Sequence, residues 1–419
     1  MLDSDWFKRA LGTILLALPA IVAAAFVWLN GSRFPIADEW AFTKAVMAIQ
    51  EIRTGGLEGI RQSMAAMRVT FHGHWVIVPF TIYWALADLV QFNSLAFTGI
   101  TLAALAVQLL VFRWAVVPSA LLALPVALVL FSPARYVDLI WGFQFTLALS
   151  CTLPMVGLAI LSTISKADSS YRQVRKALAA VCLISLGTLS ANPGFFGLPA
   201  AAVLMGLQPI GRRARLLGVS AFSLLTLLFY VFVMQGAPTQ PLGARSILQF
   251  LTHLGGTIWA TPVSQREFGI DRTSLTGLAL LVALSVSVVV AIRQGRLAAI
   301  ALPASFVVFG LLSAAAISVA RPHLGNWHLQ AALPAVCGAY GCAYRALPGR
   351  RKSIAAWTSF AILYLLLCLA AVGTYRGFTD HGPKYRDYVQ VVENYALRFL
   401  AEPDLVKTYP GGGGGDLTP

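Results

Sequence analysis

Apolar runs of 16 to 22 residues recur along the whole chain, parted by short segments that hold most of its charge. A helix of about 20 apolar residues spans the ~30 Å hydrocarbon core of a bilayer. The repetition therefore predicts an all-α, polytopic membrane protein. Composition agrees: 58% of the 419 residues are apolar and 11% are charged, where a soluble domain carries roughly 25% charged residues. The net charge of +14 does not point to nucleic acid, because the basic residues sit in short clusters between apolar runs, as the positive-inside rule requires.

Orientation follows from those clusters. Lys8 and Arg9 precede a run from Leu11 to Leu29 with no small-residue cleavage site after it, so the run reads as a retained first helix with a cytoplasmic N-terminus. The run 75–90 has an internal Pro79 and the aromatics Trp75, Tyr83 and Trp84. Counting it as a span would put every later basic cluster outside; as an interfacial helix it restores the parity. About eleven spans result: 11–30, 95–112, 119–132, 142–162, 177–191, 195–209, 216–235, 273–292, 298–320, 329–344 and 353–374. The six inner segments then hold 16 Lys/Arg against 3 Asp/Glu, and the rest of the chain 15 against 14. All six histidines fall on the outer side. A further helix is expected near 244–260 in the outer loop 236–272. The five cysteines, Cys151, Cys182, Cys337, Cys342 and Cys368, lie in apolar runs without metal-site spacing and read as small buried hydrophobes.

The stretch from Asn30 to Trp75 stands apart. It begins NGSRFPIADEW, ends FHGHW, and carries Asp38, Glu39, His72 and His74. Residues 41–52 and 57–69 have the pattern of amphipathic surface helices. An acidic pair just after the first helix, a surface-helix loop, a His-containing stretch entering an interfacial helix, then a span ending in a basic residue: this layout resembles the GT-C glycosyltransferases of the polyprenyl-phosphate-sugar-dependent type. The segments WGFQFTLALS, LGTLSANPGFFGLP and APTQPLGARSILQFLTHLGG resemble multi-span bacterial proteins near that group. The layout covers most of residues 1–345.

The resemblance implies a GT-C-like transmembrane module over 1–374, with 31–94 as its first extracytoplasmic loop and juxtamembrane helices. Residues 375–419 would be an extracytoplasmic tail, disordered over the glycine-rich 410–419. It further implies a transferase in the bacterial inner (plasma) membrane, acting on its outer face. The donor would be a polyprenyl-phosphate sugar, the acceptor a glycan, lipid or protein. No metal or other cofactor is implied, and no nucleic acid.

Such a transfer needs a carboxylate to take the acceptor's proton, positive groups to hold the departing phosphate and an apolar groove for the prenyl chain. Asp38 is the first candidate for the base and Glu39 the second; either also suits the N-terminus of a surface helix. Arg321 and His323, with His328 nearby, are candidates for the donor phosphate. Arg135 could join them, or pair with Asp138 in the same short outer loop. His72 and His74 suit hydrogen bonding to donor or acceptor. Their i, i+2 spacing would place both on one face of a strand, but no third metal ligand of clear spacing follows. Asp138, Gln265 and Arg266 are candidates for substrate contact. The competing classes are a lipid-linked glycan transporter or flippase, and an O-antigen-ligase-like transferase. The acids gather at one face rather than inside spans, and the loop 236–272 holds only Arg245, Arg266 and Arg272, which fits those alternatives less well.

Overall fold

The structure, a computed structural model, describes residues 4–36, 39, 43, 58, 70–71, 74–233, 243–259, 270–320, 325–347 and 353–401. The chain begins with α1 (Ser4–Asn30). Two strands of two residues each, β1 (Thr70–Phe71) and β2 (His74–Trp75), pair antiparallel with Thr70 opposite Trp75 and Phe71 opposite His74. There follow α2 (Ile77–Val90), α3 (Ser94–Ala115), α4 (Ala120–Leu130), α5 (Tyr136–Ile140), α6 (Phe145–Ser162), α7 (Ser170–Thr188), α8 (Gly197–Leu207) and α9 (Arg212–Val233). The second half holds α10 (Ala244–Trp259), α11 (Arg272–Arg293), α12 (Leu297–Ala320), α13 (Leu333–Ala346), α14 (Ile354–Cys368), α15 (Ala370–Arg376) and α16 (Gly382–Ala401).

Among the described residues, eight helical runs are long and apolar enough to cross a membrane: 10–30, 94–115, 120–140, 142–162, 212–231, 272–293, 297–320 and 354–394. Three of the expected spans are helices of another kind. The expected span 177–191 falls in α7, which starts with a polar, basic turn. Those at 195–209 and 329–344 correspond to α8 and α13, of 11 and 14 residues, each preceded by a 3-10 turn. α13 is central and nearly all buried, so it faces protein rather than lipid. The stretch expected at the interface forms α2, of 14 residues, and the helix expected near 244–260 is α10. The surface helices expected at 41–52 and 57–69 lie outside the described residues except at Thr43 and Glu58, as does the segment 410–419.

Polar caps set several boundaries. Asn93 accepts the backbone N–H of Leu95 at 3.0 Å to open α3. Asp271 and Ser274 cap α11 reciprocally, at 2.8 and 2.9 Å, so two of the helix's orphan N–H groups are met. Small residues let α12 and α13 come close: a Cβ on Gly338 would meet the Pro303 carbonyl and the Val307 nitrogen at 2.6 Å. Close backbone approach through small residues is the usual device where lipid supplies no hydrophobic drive between helices. Three cysteines are buried as expected, but Cys182 is exposed and Cys368 partly so. Cys182 lies on the outward face of α7, where the bundle meets its surroundings.

From α14 the chain stays helical through a π turn (Gly377–His381) to Ala401. α16 returns to the segment after α1: Val389 and Val392 pack with Ile36, and Arg386 donates to the Asn30 side chain at 3.3 Å.

Candidate active site

Glu39 is fully buried. Its Oε2 accepts the backbone N–H of Ile36 at 3.1 Å and the hydroxyl of Ser94 at 2.8 Å. One helical turn on, Thr43 donates to the Glu39 carbonyl at 2.9 Å and lies 2.8 Å from the Tyr83 hydroxyl. Tyr83 in turn stacks on Phe97 at 4.1 Å. Spacing of four residues puts Glu39 and Thr43 on one helix face, which seats this segment between α2 and the start of α3. The other oxygen, Oε1, has no hydrogen-bond partner among the described residues and points at Gly142. A Cβ there would strike that oxygen and would sit 2.7 Å from the Ser94 hydroxyl, so only glycine fits. Burial outweighs the two hydrogen bonds and pushes the Glu39 carboxyl up to about 8. At neutral pH it is mostly protonated.

Ser94 is held in turn by its backbone. Between α2 and α3 the chain turns through Gln91 and Phe92, both at positive φ (53° and 55°). Non-glycine residues rarely adopt that conformation, at a cost of roughly 1–2 kcal/mol each. The turn brings the Ser94 N–H to the Arg33 carbonyl at 3.1 Å, so the chain after α1 is tied to the start of α3 by a backbone and a side-chain bond.

The second part of the site is the segment 132–144. Its residues 133–141 read from sequence as a short outer loop between spans; the segment is a folded and mostly buried turn: a 3-10 turn at Pro133–Arg135, then α5, then a second 3-10 turn at Gly142–Gln144. Arg135 and Asp138 pair at 3.3 Å with side chains 0% and 1% exposed. The same guanidinium donates to the carbonyl of Val129 at 3.1 Å and to that of Leu130, closing the C-terminus of α4. Arg135 thus presents no exposed face to a donor phosphate. Arg135 Nε and Asp138 Oδ1 have no partner among the described residues.

Aromatic side chains from this turn join the two parts. Trp141 donates its indole N–H to the Ile36 carbonyl at 2.9 Å and meets Trp327 edge-on at 6.3 Å. Trp327 lies 5.5 Å from the ring of His328. The His328 carbonyl accepts from His253 Nε2 at 2.7 Å, which fixes the proton of that imidazole on Nε2; burial holds His253 down at about 4, so it is neutral. Tyr136 stacks on His381 at 5.0 Å and meets Tyr385 at 5.3 Å, bringing the C-terminal helices onto the same end.

Of the residues singled out in the sequence, the fold thus gathers Glu39, Arg135, Asp138 and His328 at one end. Asp38, His72, Gln265, Arg266, Arg321 and His323 lie outside the described residues. His74 is described only as backbone in β2. Sequence reasoning missed Ser94, Gly142, Trp141 and Tyr385. The aromatic density of ARYVDLIW was a usable signal for Trp141; nothing local marks Ser94 or Gly142. Among the described residues no group of three or more His, Cys, Asp or Glu side chains is placed to hold a metal ion. No protein-family model, curated protein or solved structure matches the chain.

Proposed function

We propose that this membrane protein is a GT-C-like glycosyltransferase that moves a sugar from a polyprenyl-phosphate donor to a glycan, lipid or protein acceptor. Catalysis takes place at the bundle end that carries Glu39. In this reading the eight long apolar runs, with α7, α8 and α13, make eleven spans. The N-terminus is cytoplasmic, the C-terminal helix extracytoplasmic, and the membrane the bacterial inner one.

The observation that carries the reading is the anchoring of Glu39. A carboxyl sealed by Ser94, Ile36 and Gly142 and neutral at pH 7 makes a poor base. Its own hydrogen bonds tie it to Ser94 and Ile36, and its neutrality spares the adjacent Asp38 a second negative charge. Asp38 then accepts the proton of the acceptor hydroxyl as its oxygen attacks the anomeric carbon. The anomeric C–O bond to phosphate breaks, the polyprenyl phosphate leaves with the bonding pair, and the configuration inverts. Arg321 and His323 hold the departing phosphate, with His328 beside them.

The test uses the purified full chain in nanodiscs with polyprenyl-phosphate sugars and reads release of polyprenyl phosphate. Asp38→Asn is expected to keep donor binding and to lose at least 100-fold in turnover, the usual range for removal of a general base. Full activity in Asp38→Asn would remove Asp38 from the mechanism. One observation favours a second reading, a lipid-linked glycan transporter: the Arg135–Asp138 pair lies within an apolar run, where ionisable residues often mark transport pathways. Movement of a labelled lipid-linked glycan across vesicles, without release of polyprenyl phosphate, would favour it.

A further inference from the structure

A groove of about 460 Å³ opens between the C-terminal half of α1 and the first turns of α3. Its walls are mostly apolar, including Val27, Trp28, Gly99 and Leu102, and Arg33 and Asn93 lie at its rim. The size is within the usual range for a small-molecule site. Trp28 is 74% exposed, so the groove faces the surroundings of the bundle, which for these two apolar helices is the lipid phase. Gly99 is the telling residue. It lies inside α3, where glycine is costly relative to alanine. A Cβ built on it meets no atom within 4 Å, so no helix contact calls for its small size. What it leaves is open groove.

We infer that this groove binds one acyl chain of an anionic diacyl phospholipid, with the lipid phosphate on the Arg33 guanidinium. Two features select that occupant. The charge is complementary: Arg33 is exposed and makes no ion pair among the described residues; the nearby Glu393 carboxylate accepts its backbone N–H at 3.3 Å. The length fits one leaflet. From Asn93 to Leu102 the wall of α3 extends roughly 14 Å at 1.5 Å per residue, about half of the hydrocarbon thickness. A long prenyl chain would outrun it. The position is also consequential: the Arg33 carbonyl accepts from the Ser94 N–H, and the Ser94 hydroxyl bonds Glu39. A lipid seated at Arg33 therefore braces the connection that holds Glu39. The inference is independent of the transferase reading, because it concerns occupancy of the groove and not turnover.

The experiment is native mass spectrometry of the full chain after exchange into mixed phosphatidylglycerol and phosphatidylcholine. Undecaprenyl phosphate is offered in a parallel arm. Wild type is expected to retain one phosphatidylglycerol in preference to phosphatidylcholine. Arg33→Gln should lower that preference about fivefold, the weight of one basic residue near an anionic lipid surface. Gly99→Phe fills open space and should lose the lipid, while Gly99→Ala keeps it and shows that a side chain at this position is compatible with folding. Equal retention of both phospholipids by wild type, unchanged phosphatidylglycerol binding in Gly99→Phe, or retention of undecaprenyl phosphate to the exclusion of phosphatidylglycerol would each overturn the assignment.

Discussion

The two ends of α3 are built from opposite chemistry. At its start, the Ser94 hydroxyl donates to a buried carboxyl, Glu39. At its end, Arg345 donates from Nε to the Val116 carbonyl at 2.8 Å and from Nη2 to the Ala115 carbonyl at 2.9 Å. The second choice agrees with the helix dipole, which favours cations near the C-terminus; the first does not draw on it, because Glu39 is mostly protonated at neutral pH. The ends differ in what is left over. At the Arg345 end basic residues donate to carbonyls where helices stop, Arg215 to Gln208, Arg296 to Leu347 and Lys176 to Thr163, and the buried atoms left without partners among the described residues are Arg113 Nε, Arg215 Nε and Gln208 Oε1. At the Glu39 end buried polar atoms remain without protein partners among the described residues, on Glu39, Asp138, Arg135 and Gln144. Native interiors rarely leave such groups unmet. The contrast says that basic clusters can serve architecture as well as orientation, and that the partly unmet buried carboxyls, Glu39 and Asp138, are gathered at the other end.

The sharpest way to break this contrast is at the buried pair. Arg135→Ala leaves Asp138 in the interior without its cation and should cost about 3–5 kcal/mol, read as a large drop in the thermal midpoint of the solubilised protein. The double replacement Arg135→Met with Asp138→Leu should recover much of that loss, since an apolar pair carries no desolvation penalty. Equal losses in the single and double variants would mean that the carbonyl bonds of Arg135, not its charge pairing, matter most.

Next in size is the opposite end. Arg345→Ala removes two charged hydrogen bonds from a partly exposed site and should cost about 1–2 kcal/mol. It should leave donor turnover per folded molecule unchanged. A loss of turnover with no loss of stability would show that the two ends are not separate in role.

The smallest effect at neutral pH is expected from Glu39→Gln, and its signature is a slope. The folded value of about 8 lies above the ordinary 4.5. The stabilisation from the protonated group is therefore complete below about pH 4.5, shrinks as pH rises, and is lost through pH 8. Wild-type thermal midpoints should fall across that window relative to Glu39→Gln, whose amide does not titrate. Parallel curves would mean that Glu39 is not buried as an acid.

Much of the architecture was legible in the residues. Span length and apolar composition are local properties, so eight of the eleven expected spans have helices of the required length and character. The run 75–90 forms α2, a 14-residue apolar helix. α13 was harder: a helix enclosed by protein needs neither full span length nor lipid-facing residues, so its sequence resembles an ordinary span cut short. The segment at Arg135 and Asp138 was assigned to a loop because charge reads as exposure. Burial there depends on carbonyls at the end of α4 and on α6 and α13 closing over it.

The sequence by itself determined a helical membrane protein, the positions of its long helices, and the Asp38–Glu39 pair as residues to watch, with Asp38 ranked first. Those follow from the thickness of a bilayer and from the scarcity of charge, which act on each stretch separately. Only the tertiary structure decided what Glu39 meets. Ser94 lies 55 residues away along the chain, Trp141 reaches Ile36 across 105, and Arg345 reaches Val116 across 229. Hydrogen bonds and close contacts act over a few ångströms, so such partners exist only once the helices have packed.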